Sequence, residues 1–198
     1  MRIAVAVSGR GSNLRALVSG LDPAAGAEVV LVISNRADSM ALEFARSKGI
    51  PTAVLERAAD GAEWLDHLGR RSVDFVVLAG FLKKVPDEVV KAFPGRIINV
   101  HPALLPKFGG PGMYGLNVHR AALAAGERES GATVHLVTEA YDEGAVLGQA
   151  RVPVEPDDTP ESLAHRVLEA EHRLLPAAVR AAAAAGRAVP FTMNVREP

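Results

Sequence analysis

Alternation constrains this chain more than any other feature. Across its first hundred residues, short apolar runs rich in valine and isoleucine take turns with amphipathic stretches. Ile3–Val7, Val29–Ile33, Thr52–Leu55, Val73–Ala79 and Ile97–Val100 read as strands, and Ser12–Ser19, Ser39–Lys48, Trp64–Arg70 and Pro86–Phe93 as the helices between them. Strands that are apolar on both faces have to be covered on both faces, and helices between successive strands supply that cover. The pattern predicts an α/β fold of the doubly wound kind, a mostly parallel sheet flanked by helices in a Rossmann-like arrangement. Apolar residues are 48% of the 198, and a chain of this length hides roughly 70% of its unfolded surface, so such a core can be built.

The rhythm changes after His101. Pro102 to Leu116 holds three prolines (Pro102, Pro106, Pro111) and four glycines (Gly109, Gly110, Gly112, Gly115), a loop of a length that is usually functional or disordered. A helix over Val118–Ala125 follows, then strands over Ala132–Val137 and Val146–Val152. A long helix then runs from Pro160 to about Ala185, with its start signal in Asp158-Thr159-Pro160-Glu161. The alanine-rich stretch Ala177–Ala188 fits a high-propensity helix end. With neither a linker nor a repeat in view, 1–198 is expected to be one domain.

Composition narrows the partners. The chain carries 22 basic and 23 acidic residues, a net charge of -1, and neither a basic domain nor a basic tail. That argues against nucleic acid or an anionic membrane as the main partner and leaves a small anionic substrate open. With no cysteine, disulfides, thiolate nucleophiles and zinc–thiolate sites are excluded. The apolar run Met1–Val7 is too short for a signal peptide, and no stretch approaches the ~20 apolar residues of a membrane helix, so a soluble cytoplasmic protein is expected. His67, His101, His119, His135, His165 and His172 lack the short spacings of a zinc site, and no Gly-x-Ser-x-Gly elbow is present.

Three stretches could carry chemistry. Ser8-Gly9-Arg10-Gly11-Ser12-Asn13-Leu14 lies between the first strand and the first helix. There, free N–H groups, the Ser12 hydroxyl and the Asn13 amide could cradle a phosphate. The same residues suit an ordinary tight turn with Ser12 as helix cap. Asn99-Val100-His101-Pro102 ends a strand, and residues two apart on a strand share a face. An amide beside an imidazole can stabilise an oxyanion and exchange a proton, although a structural histidine is the alternative. Gly131-Ala132-Thr133-Val134-His135 precedes Asp142-Glu143-Gly144, whose Asp142 could reach the same cleft or simply make a turn. Within ~4–6 Å of an imidazole a carboxylate favours the imidazolium, so Asp142 is expected to raise His101 above its usual pKa of about 6.5.

Taken jointly with Leu78-Ala79-Gly80-Phe81-Leu82, the extended stretch Asn99-Val100-His101-Pro102-Ala103-Leu104-Leu105-Pro106 and Tyr141-Asp142-Glu143-Gly144, these motifs resemble the folate-dependent phosphoribosylglycinamide formyltransferases over essentially the whole chain. The resemblance implies transfer of a formyl group from 10-formyltetrahydrofolate, a co-substrate, to the amine of glycinamide ribonucleotide in purine synthesis, with no metal. It implies that Gly11, Ser12 and Asn13 hold the ribonucleotide phosphate and that Glu171 lies close to the ribonucleotide. Leu82, Lys83, Lys84 and Val85 would line the pterin, and Asn99 would touch both the folate and the reacting centre. His101 would be the catalytic acid and Asp142 the carboxylate that tunes it. On this basis residues 1–100 form the nucleotide and phosphate half, and 101–198 the catalytic-loop and folate half. The loop 107–115 is expected to fold over the ligands. A homodimer is compatible with the resemblance, and nucleic acid and membrane partners are not expected.

Two related folate enzymes share these elements. Methionyl-tRNA formyltransferase carries a further C-terminal nucleic-acid-binding domain, and formyltetrahydrofolate hydrolase an added N-terminal one. A chain running from a first strand at residue 2 to Pro198 is expected to be neither. A noncatalytic dinucleotide-binding domain would want an acidic residue closing the second strand, where Ser34-Asn35-Arg36 stands.

Overall fold

Each apolar run becomes a strand, and all of them join one sheet. The structure is a computed structural model describing residues 1–22 and 26–193; the chain end at Pro198 lies outside the described residues. In order the elements are β1 (Arg2–Val7), α1 (Ser12–Gly20), β2 (Glu28–Ser34), α2 (Met40–Ser47), β3 (Thr52–Val54), α3 (Gly61–Arg70) and β4 (Phe75–Leu78). Then come α4 (Asp87–Ala92), β5 (Ile97–His101), α5 (Leu116–Ala124), β6 (Glu129–Leu136), β7 (Val146–Pro153) and α6 (Pro160–Ala185). Boundaries differ from expectation where a cap decides them. Asp60 accepts from the N–H groups of Ala62 and Glu63, so α3 starts at Gly61, a turn before Trp64.

The seven strands lie in the order β3-β2-β1-β4-β5-β6-β7. β3 to β5 run parallel, while β6 is antiparallel to β5 and to β7. From β1 the chain winds outward to β2 and β3, then returns to the other side of β1 for β4 and β5. Strand order therefore reverses at the β1–β4 pair, and the loops leaving the carboxyl ends of those strands splay apart into a crevice.

Strand alternation splits the interior into two cores. Ile3, Val5, Val7, Phe75, Val77, Ile98 and Val100 face α1, α2 and α6 on one side of the sheet. Ala4, Ala6, Val76, Leu78 and Ile97 face Trp64 and Leu68 of α3 and Val89 of α4 on the other. Asn99 and His101 continue the series begun by Ile97, so they share the α3–α4 face at the strand's carboxyl end.

Candidate active site

Four strand-end loops and one helix meet at the crevice. The turn after β1 enters α1 through Gly11, which caps the helix with φ 75°, in the left-handed region, and has no side-chain cap. A Cβ there would stand 2.5 Å from that of Ala41, so glycine is required by conformation and by space alike. Gly11, and not Ser12, is the cap residue. Ser12 opens the helix, and neither it nor Gly11 lines the cleft, whereas Asn13 does.

Asn13 is buried and donates from Nδ2 to Glu171 Oε2 at 2.6 Å, tying α1 to α6. Its Oδ1 is buried with no hydrogen-bond partner among the described residues. Burial pushes the Glu171 carboxyl up to about 7, against the opposing effect of the Asn13 hydrogen bond.

After β4 the chain turns through Gly80 and runs along one wall as Leu82, Lys83, Lys84 and Val85. Phe81 anchors this segment edge-on against Trp64, with ring centroids 5.2 Å apart. Val85 is buried and Leu82 is exposed at the mouth. Lys84 Nζ sits 2.8 Å from Asp87 Oδ1, so its charge is already matched by a carboxylate on α4.

At the end of β5, Asn99 and His101 project side by side, and the register of β6 sets His135 opposite Asn99 and Thr133 opposite His101. His135 Nδ1 lies 2.8 Å from the Leu136 carbonyl, and its Nε2 lies 3.0 Å from Asn99 Nδ2. In the neutral ring Nδ1–H donates to that carbonyl and Nε2 accepts one N–H of Asn99, which leaves the second amide N–H for a ligand. His101 Nε2 lies 2.8 Å from the Phe108 carbonyl and donates to it, so Nδ1 is the free basic nitrogen. That nitrogen faces Asp142 Oδ2 at 3.6 Å, while Asp142 Oδ1 is 3.4 Å from His135 Nε2. The backbone N–H of Gly110 also donates to Asp142 Oδ2, at 2.8 Å. Phe108 (φ 55°) and Asp142 (φ 56°), the two residues that grip His101, both hold left-handed backbone, a sparsely populated conformation that clusters at functional sites.

Asn99, His101 and Asp142 thus converge as expected, but the direction of one effect is reversed. Burial drives the His101 pKa below its usual value and outweighs the raising influence of Asp142 and the Phe108 carbonyl. The expectation of a raised value counted the carboxylate and not the desolvation, which only the packed loop reveals. Burial also pushes Asp142 upward, but the neighbouring His135 ring, the hydrogen bond from the Gly110 N–H and the proximity of His101 leave it below the usual carboxylate range.

Among the residues lining a cleft of about 310 Å³ are Asn13, Leu82, Lys83, Lys84, Val85, Asn99, His101, Asp142 and Glu171. The cleft also takes in Gly110 to Gly115, from the loop expected to fold over the ligands, and Val137, Thr138, Glu139 and Ala140, which sequence reasoning did not place there. His135 was visible only as part of a motif; its pairing with Asn99 depends on the β5–β6 register, which no local signal encodes. Among the described residues, no group of three or more histidine, aspartate or glutamate side chains is arranged to hold a metal ion. No helix in that set is long and apolar enough to cross a membrane.

Comparison with known proteins identifies the family and the fold. Residues 1–179 match the formyl transferase family. The chain is 50% identical over 181 residues to the chloroplastic phosphoribosylglycinamide formyltransferase of Arabidopsis thaliana, covering 87% of this chain and 62% of that one. It therefore spans less than two thirds of that plant relative's length. Over 189 residues it is 38% identical to the phosphoribosylglycinamide formyltransferase of Haemophilus influenzae, covering 90% of this chain and 85% of that one. The crystal structure of glycinamide ribonucleotide transformylase 1 from Symbiobacterium toebii superposes with a TM-score of 0.87 at 40% identity, covering 98% and 94% of the two chains.

Proposed function

The chain belongs to the formyl transferase family, and on that premise we propose that it transfers the formyl group of 10-formyltetrahydrofolate to the amine of glycinamide ribonucleotide, releasing tetrahydrofolate. The names of its relatives support the choice of acceptor. The observation that carries the reading is the meeting of an amide, an imidazole and a carboxylate (Asn99, His101 and Asp142) in one cleft.

On this reading the glycine turn with Gly11, Ser12 and Asn13 takes the phosphate, through backbone N–H groups at a helix start. Glu171 and the unpartnered Asn13 Oδ1 face the ribonucleotide, and Leu82 to Val85 flank the pterin. The substrate amine attacks the formyl carbon, and negative charge develops on the formyl oxygen. The free N–H of Asn99 points to that charge. Formyl transfer also requires the attacking amine to lose a proton and N10 of the folate to gain one. His101 Nδ1 is the basic nitrogen available for the exchange, and Asp142 stabilises the imidazolium while the proton resides there. A buried, neutral His101 suits this sequence, because the developing oxyanion raises its proton affinity only as the reaction proceeds. Holding both substrates within ~3 Å of each other supplies much of the remaining rate. The two partners are small molecules, not nucleic acid; the setting is cytoplasmic, and 1–198 acts as one unit.

The test is an absorbance assay for deformylated folate. Release that requires added glycinamide ribonucleotide is the expected result. Equal release without the ribonucleotide would identify a hydrolase instead.

A further inference from the structure

One buried hydroxyl links three strand ends beneath the cleft. Ser8, just after β1, donates from Oγ to Asn35 Oδ1 at 2.7 Å and accepts the backbone N–H of Leu82 at 2.9 Å. Its own backbone N–H donates to the Gly80 carbonyl at 3.1 Å. Ser8 therefore spans from β1 to β2 through Asn35, and to β4 through Gly80 and Leu82. Asn35 stands where a dinucleotide-binding sheet would want a ribose carboxylate. Here its amide oxygen accepts the hydrogen bond of the Ser8 O–H, which leaves the Ser8 Oγ lone pairs for the Leu82 N–H.

The two sides of the cleft depend on Ser8 unequally. Phe81 is anchored by Trp64, but the Leu82 side chain is 56% exposed, so packing does little to fix the chain there and the hydrogen bond to Ser8 matters more. The glycine turn has separate anchors: the Gly9 carbonyl accepts from Ser39 Oγ at 2.8 Å and from the Ala41 N–H at 3.2 Å. Losing the Ser8 hydroxyl would strand the Leu82 N–H and Asn35 Oδ1 and leave both of those bonds in place.

Building on the formyl-transfer reading, we propose that Ser8, oriented by Asn35, is a positioning residue for the folate segment Leu82–Val85, selective for one of the two substrates. Calorimetry with tetrahydrofolate and with glycinamide ribonucleotide as separate probes tests it. In Ser8→Ala, tetrahydrofolate affinity is expected to fall about tenfold, equivalent to about 1.4 kcal/mol, with ribonucleotide affinity within about twofold of wild type. Ser39→Ala is expected to show the converse, and Ser8→Thr, which keeps the hydroxyl, to recover most of the folate affinity. Should Ser8→Ala not fold, Asn35→Ala removes only the orienting acceptor and is expected to weaken tetrahydrofolate about threefold. Unchanged folate affinity in these variants, or an equal loss for both ligands, would overturn the role of Ser8 and leave formyl transfer standing. A wild-type protein that binds no tetrahydrofolate would overturn both.

Discussion

His101 carries two opposing influences, and their balance sets how it can act. Burial disfavours the imidazolium, while Asp142 at 3.6 Å favours it, and burial prevails. Removing the carboxylate charge therefore leaves the lowering influence unopposed. In a proton NMR titration, the His101 ring is expected to titrate below about 6.5 in the wild type and lower still in Asp142→Asn. A higher value in the variant would contradict the assigned cause. His101→Ala is expected to cut turnover by roughly 10²- to 10⁴-fold while tetrahydrofolate affinity stays nearly intact, as steady-state kinetics and calorimetry would show. At this scale the sequence revealed which groups meet and missed their environment. The residue types and the i, i+2 spacing of Asn99 and His101 are local facts. The Phe108 carbonyl, the Gly110 N–H and His135 reach the site only through loop conformation and strand register.

Two joints between elements carry the side of the site proposed for the ribonucleotide. The first is the close approach of the β1–α1 turn to α2. In Gly11→Ala the new methyl would meet Ala41 Cβ at 2.5 Å in a left-handed backbone. Strain of roughly 1–3 kcal/mol is expected, with a lower melting temperature and weaker ribonucleotide binding but near-normal tetrahydrofolate affinity. The second joint is the Asn13–Glu171 bond between α1 and α6. Folded, Glu171 keeps its proton up to about 7, against 4.5 for an ordinary glutamic acid. Within that window the folded chain holds a proton that the unfolded chain has released. Stability linked to Glu171 is thus complete below the lower value and is lost as pH rises through the upper one. Measured against Glu171→Gln by denaturant titration from pH 4 to 8, the wild type is expected to lose about 3 kcal/mol across the window. A parallel pH dependence in the two proteins would contradict a buried, protonated Glu171. The helices themselves were legible from periodicity and caps, as in Thr159-Pro160 at the start of α6. Their contact through Asn13 and Glu171, 158 residues apart, was not.

For the molecule as a whole, the alternation of apolar runs and helices was enough to read a doubly wound sheet, because strands buried on both faces need a cover on both faces. The order β3-β2-β1-β4-β5-β6-β7 and the antiparallel turn at β6 were not readable, since both depend on pairing between distant segments. The cleft was half legible: strand ends announce themselves, whereas Gly110 to Gly115 carry no periodicity to say where the loop folds back. The two proposed substrates, if both bind this cleft, stabilise the fold by mass action. At about 100 times its dissociation constant each ligand adds roughly 2.7 kcal/mol, or about 5–10 °C in melting temperature for a domain of this size, whereas NAD is expected to add nothing. Formyl transfer itself is read out by following a carbon-13 formyl group from 10-formyltetrahydrofolate by mass spectrometry. Wild-type protein is expected to move the label onto the amine of glycinamide ribonucleotide, and Asn99→Ala, His101→Ala and Asp142→Asn each to suppress that transfer severely. Label recovered as free formate, or transferred undiminished by all three variants, would contradict the assignment of this cleft.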